Sequence, residues 1–431
     1  MIRPLDSSRS SWRLFWVDLD EPVPVPKSSG KASSEGYYLP TCLIITTASG
    51  KPLCPPEILE ELDQQKAELL LGRLFDEHGM PDRLTIAESE DWDPEDWKSF
   101  AQECRLEISF GTFPATKPAD LKKLAGGIAQ RLRGDVFHPP EIIAKGLVET
   151  ARRLHSQSKK SAHFRKAVEQ DEGCLEARIE LADADYQAAR WNECRLGYQD
   201  IVEREQRRWS GENPAWWSEV QTRPFMRALY GRAMTEWQAG RFSNTATDLS
   251  HLLSINPTDN QGVRFLIPMV HLLGDDDVSA LESLASYERN YPGDYCEPAL
   301  LFGKGLAHWR AGDEEVAASS YRSGMLRNLH IAPLLLDLPL PPADIWHPND
   351  RAESSYAQDF IQSYATLWDR DPAALRFLRE TRERCQGQID RLISLRRTMH
   401  EWQDQRYDRD YKSKWKALVE QDDLLSGNGD R

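Results

Sequence analysis

The chain has no close pair of cysteines. Its seven, Cys42, Cys54, Cys104, Cys174, Cys194, Cys296 and Cys385, are scattered and odd in number. That excludes a disulfide framework or a zinc knuckle and leaves them as small buried hydrophobes of a reducing compartment. Long apolar runs are missing too, so no segment reads as a membrane span, and the first residues lack the apolar stretch of a signal peptide. These absences together predict a cytoplasmic protein with no membrane partner. Positive charge is scarce: 54 Lys and Arg stand against 69 Asp and Glu, a net charge of −15. Nucleic acid is held chiefly by cations that neutralise phosphates, so this balance argues against it as a partner. The densest basic run, residues 117–133, also suits the solvent face of an amphipathic helix. Enzyme signatures are absent as well. There is no Gly-x-x-x-x-Gly-Lys, no Gly-x-Ser-x-Gly and no His-Glu-x-x-His, and the ten histidines form no close pair, so the chain reads as a binding protein without a cofactor.

What is present is a recurring helical unit. A length of 431 residues exceeds one core and implies two or three domains. Between residues 174 and 333 a helix-turn-helix pattern repeats in phase. The clearest copy spans 224–257, with Gly240 at the turn, then Phe242, Leu249, Leu252, Leu253 and Ile255, closed by Pro257. Upstream, Leu181 and Ala182 form a large-small pair, Tyr186 ends the first helix, and Trp191, Cys194, Tyr198, Ile201 and Val202 follow the turn. Downstream, Gly305, the turn Gly312-Asp313, Ala317, Tyr321, Gly324 and Met325 fall at the same spacing. The copy at 261–290 carries Pro268, which predicts a kink inside its first helix. A unit that cannot bury its own apolar face must stack on its neighbours, so these copies predict an all-α superhelix over 136–335.

These offsets resemble the tetratricopeptide repeat (TPR) of roughly 34 residues, and the Asn-Pro-x-Asp-Asn-Gln-Gly turn at 256–262 is similar to bacterial members of that family. The resemblance implies that the first helix of each pair lines a concave face. Carried over position by position, it implies a partner-binding groove of Arg227, Tyr230, Trp237, Arg264, Trp309 and Arg310. Trp, Tyr and Arg dominate binding energy because they bury large areas at small entropic cost, and Arg pairs bidentately with carboxylates. The expected partner is therefore an extended or helical protein segment with acidic and apolar residues. Trp237 and Trp309, each just before a turn, equally suit packing against the neighbouring repeat.

Residues 1–135 have a different rhythm. A β-like run at 12–19, a second at 37–47, a turn at 48–51 and a short third strand near 52–54 precede a helix over 56–78. A strand at 83–86, a helix at 94–104, a strand at 106–110 and a helix at 119–133 follow. The order β-β-β-α-β-α-β-α requires a mixed sheet with helices on its faces. With Ile44-Ile45-Thr-Thr-Ala-Ser-Gly-Lys51 and His78-Gly-Met-Pro-Asp-Arg-Leu-Thr-Ile86, it resembles the RNase H-like core shared by transposases and integrases. The resemblance implies carboxylates converging on two magnesium ions. Asp18 or Asp20 stands at the first position and Glu88 at the fourth-strand position, with Glu90, Asp91 and Asp93 behind it. Only Asp120 is available for the last, where helix capping explains it. The expectation is an inactive core; a metal-dependent nuclease or nucleic-acid-binding domain recruited through the repeats is the alternative.

The remainder divides into a Pro-rich loop over 336–354, capping helices over 355–420 with a break near 386–388, and a disordered tail over 421–431. The chain thus reads as a multidomain adaptor or scaffold, an RNase H-like α/β module followed by a TPR superhelix.

Overall fold

The computed structural model describes residues 11–24, 36–88, 92–111, 139–211, 214–292, 294, 297–403 and 410–427. The chain forms two compact units, Met1–Ile201 and Val202–Arg431. The expected helix at 119–133, the expected boundary at 135/136 and residues 428–431 of the expected tail lie outside the described residues, whereas residues 421–426, expected to be disordered, are helical and bury Asp422 and Ser426.

The first unit is built on a five-stranded mixed sheet. Strands β1 (Ser11–Asp18), β4 (Thr41–Thr47) and β5 (Glu57–Leu59) are antiparallel neighbours, while β6 (Arg83–Ala87) and β7 (Glu107–Gly111) lie parallel to β1 on its other side, in the order β5-β4-β1-β6-β7. Short strands β2 (Val23–Pro24) and β3 (Tyr37–Tyr38) pair separately. Trp12 and Leu14 of β1 alternate inward beside Leu43, Ile45, Leu84 and Ile86. Over them pack α1 (Gln64–His78), through Leu70, Leu71 and Leu74, and α2 (Pro94–Cys104), through Trp97. Asp63 and Asp93 cap these helices by accepting from Lys66 N and Glu95 N, which satisfies N–H groups that no helical carbonyl can reach.

Two expectations fail here. Residues 52–54 form only an isolated bridge, Thr46 to Pro52, and the third strand lies at Glu57–Leu59, beyond Pro55 and Pro56, neither of which can donate to a ladder. The helix expected from residue 56 begins at Gln64. Ile58 and Leu59 belong to the strand, and an apolar run this short carries no period that separates the two states.

Two further helices, α3 (Pro140–Ala151) and α4 (Gln157–Gln170), complete the apolar cluster of Tyr37 and Leu39 with Leu147, Val148 and Phe164. The first predicted repeat follows as α5 (Leu175–Gln187) and α6 (Trp191–Arg208). Its large-small pair has a packing reason, because a Cβ on Gly197 would stand 3.1 Å from that of Ala182. The chain passes into the second unit within α6.

The second unit holds three helix pairs: α7 (Arg223–Gln238) with α8 (Phe242–Ile255), α9 (Ile267–Leu273) with α10 (Asp277–Asn290), and α11 (Pro298–Arg310) with α12 (Glu314–Arg327). Gly240 (φ 70°) and Gly312 (φ 80°) make the left-handed turns of the outer pairs, a conformation that costs a residue with a Cβ. Close approach explains Gly305 and Gly324, where a Cβ would meet the Tyr321 ring at 2.6 Å and the Phe302 ring at 2.9 Å. Pro268 does not kink a helix. It lies in the first turn of α9, where its missing N–H has no helical acceptor to lose, and its effect is to cut α9 to 7 residues beside the 16 of α7 and 13 of α11.

After α13 (Ile331–Leu336), the Pro-rich loop leads to α14 (Ser354–Tyr364), α15 (Thr366–Asp369), α16 (Pro372–Gln403) and α17 (Tyr411–Ser426). The break expected near 386–388 is absent: α16 runs unbroken for 32 residues, because Gly387 alone weakens a helix by only about 1 kcal/mol. Helices α16 and α17 are joined by Arg396 and Asp422, 2.7 Å apart and almost wholly buried.

Candidate functional site

The candidate carboxylates of the sheet sit at the ends of parallel strands. Asp18 closes β1, Glu88 follows β6, and both Asp20 and Glu88 are exposed. Asp18 is engaged within the fold. Its Oδ1 lies 2.6 Å from Lys159 Nζ and accepts from Thr41 Oγ1 at 2.5 Å, while the same ammonium donates to Thr41 Oγ1 at 2.7 Å. One turn along α4, His163 is fully buried. Its Nε2 accepts from Leu39 N at 2.9 Å, which leaves Nδ1 to donate to Lys159 O at 2.8 Å. Burial pushes this imidazole down to about 4, because the charged form would lose its hydration. The corner is therefore a neutral imidazole and an ammonium pinning a helix to strand ends. Among the described residues no group of three His, Cys, Asp or Glu is placed to hold a metal; Glu90, Asp91 and Asp120 lie outside them.

The second unit places the six groove candidates unevenly. Arg227 is exposed and Tyr230 half-buried on α7. Trp237, at the end of α7, meets Tyr364 with ring centroids 5.8 Å apart. Trp309 stacks on Phe377 at 4.5 Å and 21°. Arg310 pairs with Asp277 at 3.1 Å and Asp371 at 3.5 Å and donates to Leu367 O. Arg264 binds Asp294 through Nε at 2.7 Å and Asp259 through Nη1 at 2.9 Å, its guanidinium lying over Phe265 and Tyr291.

A single segment accounts for three of these contacts. Helices α14 and α15 and the start of α16 lie against α7 and α11, first helices of their pairs, and against α12. Phe360 meets Phe302 at 5.7 Å, Trp368 Nε1 donates to Tyr321 Oη at 3.1 Å, and Tyr356 bonds Glu297 at the head of α11. Phe360, Leu367 and Trp368 are buried. A helical segment with acidic and apolar residues, the chemistry expected of a ligand, is thus supplied by the chain itself through Tyr364, Asp371 and Phe377. The signal was present in the sequence: Tyr356, Phe360 and Tyr364 recur every four residues and form one aromatic stripe on α14.

No family model matches the chain, and no curated protein matches it. A solved structure, the TPR protein YrrB, described as having an unusual peptide-binding site, is similar over 43% of this chain and 86% of its own, at 16% identity and a TM-score of 0.33. The peptide site belongs to that protein. In this chain a mixed sheet is followed by helices paired in series, an arrangement that fits a TPR protein. No described helix is long and apolar enough to cross a membrane.

Proposed function

We propose that the protein is an interaction adaptor whose TPR-like pairs hold a protein segment along their first helices. The observation that carries this reading is the seat of the segment from α14 to the start of α16: aromatic and basic residues of α7 and α11 already grip a helical stretch of acidic and apolar character. Arg227 and Tyr230 extend the same helix face at the surface of α7, so a partner segment docks there, beside Tyr364 rather than in place of it. Affinity capture with the full chain, followed by mass spectrometry, tests this reading. Partners retained by the wild type and lost with Arg227→Glu plus Tyr230→Ala support it; an unchanged set removes this face from the function.

We further infer that the sheet is an RNase H-like core without nuclease activity. The element order β-β-β-α-β-α-β of its five main strands supports the first half. The second half is supported by Lys159, whose ammonium sits at Asp18 where a divalent cation would have to bind, since like charges exclude each other at that distance. Incubation with magnesium and branched, single- or double-stranded substrates should give no cleavage. Robust cutting that disappears in Asp18→Ala and Glu88→Ala would overturn the inference.

A further inference from the structure

In a chain of net charge −15, one groove is lined by three arginines and by no carboxylate. It runs between α12 and α16, has a volume of about 580 Å³, and presents Arg322, Arg384 and Arg391 with Ser319, Gly387 and Gln388. Residues 384, 387, 388 and 391 follow the i, i+3, i+4, i+7 spacing that puts them on one face of a helix. Arg322 is held in place from across the groove: its Nε and Nη2 donate to Gln388 Oε1 at 3.0 and 2.6 Å, and Gln388 Nε2 in turn donates to Leu425 O of α17 at 2.7 Å. Those bonds leave Nη1 out of the clamp. The acid nearest Arg384 is Glu380 at 3.6 Å, both side chains largely exposed, and such a pair contributes about 0–1 kcal/mol.

Gly387 adds an independent sign. A glycine inside a helix costs roughly 0.5–1 kcal/mol relative to alanine, and at Gly305 and Gly324 aromatic rings explain it. At Gly387 a Cβ would meet nothing within 4 Å, so packing within the chain does not require the bare backbone. It leaves the wall of the groove between Arg384 and Arg391 without a side chain, and Arg391 Nε donates to the Gly387 carbonyl at 3.2 Å.

We propose that this groove binds an acidic protein segment, its carboxylates on Arg322, Arg384 and Arg391 and its backbone against Gly387. Planar guanidiniums pair bidentately with carboxylates. Nucleic acid is disfavoured because three cations in an acidic protein fall short of the six to ten phosphate contacts, roughly, of a duplex binder. The proposal rests on the adaptor reading but uses a different face from Arg227, so the two can fail separately.

The test is fluorescence anisotropy of a fluorescein-labelled peptide of alternating Glu and Ala, titrated with the full chain at low salt. Saturable binding is expected, weakened at least tenfold by Arg384→Glu plus Arg391→Glu and left unchanged by Arg227→Glu. A control reversal elsewhere, Arg73→Glu plus Lys98→Glu, should leave it within twofold and so separates the groove from net charge. Gly387→Leu should weaken binding while keeping or raising the unfolding midpoint, a split that a damaged fold cannot produce. No binding, equal binding by the groove variants, or equally tight and equally sensitive binding of single-stranded DNA overturns the proposal. Loss of the captured partners in Arg227→Glu with peptide binding intact leaves both readings standing; unchanged capture removes only the first.

Discussion

Each unit buries a histidine, and burial pushes both imidazoles down to about 4, yet the two do opposite things. His163 of the first unit has both ring nitrogens bonded, to Leu39 N and Lys159 O. His330 of the second has neither nitrogen bonded among the described residues, and it lies beside His347, whose ring centroid is 5.5 Å away. The first is a pin, the second a tolerated loss of hydration. The ion pairs differ as well. Lys159 is buried but its partner Asp18 is 56% exposed, whereas Arg396 and Asp422 are 1% and 2% exposed. A low pKa or a close ion pair therefore says little about stabilisation until the partners and the solvent around them are counted.

The largest effect should come from Asp422→Ala, which strands Arg396 in the interior and should cost about 3–5 kcal/mol in urea unfolding. A loss under about 1 kcal/mol would mean that water reaches the pair and would erase the contrast with Lys159. Next, His163→Phe should cost about 1–3 kcal/mol by leaving Leu39 N unpaired in the interior, while His330→Phe should be near neutral or stabilising. Equal losses would break the comparison of the two histidines. In pH titration both folded-state values lie below the ordinary 6.5, so the unfolded chain binds more protons between them. Their contribution is present in full above about 6.5 and is lost as pH falls towards 4. His163→Gln, which can still accept from Leu39 N, should flatten part of that slope without a large change at pH 8. The smallest effect is expected for Glu88→Gln, within about 0.5 kcal/mol, as befits an exposed carboxylate.

Local order was readable wherever the chain's own neighbours set it. The helix pairs fall where the recurring pattern puts them, with Gly240 and Gly312 at positive φ and the small residues Gly305 and Gly324 under rings. The misplaced third strand and the late start of α1 come from a stretch of prolines and a short apolar run, where periodicity has too few residues to act on. Helix α4 carries no clean apolar stripe because it buries Lys159 and His163, side chains that hydropathy assigns to solvent and that only their distant partners make tolerable. The break expected in α16 fails for the converse reason: a single glycine is too weak a stop when the apolar face of the helix is already packed.

The candidate sites were less readable. Asp18 meets Lys159 across 141 positions, and Arg310 meets Asp371 across 61. Residue type placed aromatic and basic groups along the first helices, but not the segment that covers them. What the sequence determined by itself is therefore the set of local elements: turns that need glycine, helix starts that accept proline or a capping aspartate, stripes that demand a covered face. Which charged and aromatic side chains remain for a partner was decided by the tertiary structure alone. Helical period depends on residues three and four apart, whereas an ion pair or a ring stack depends on whatever the fold brings within a few ångströms.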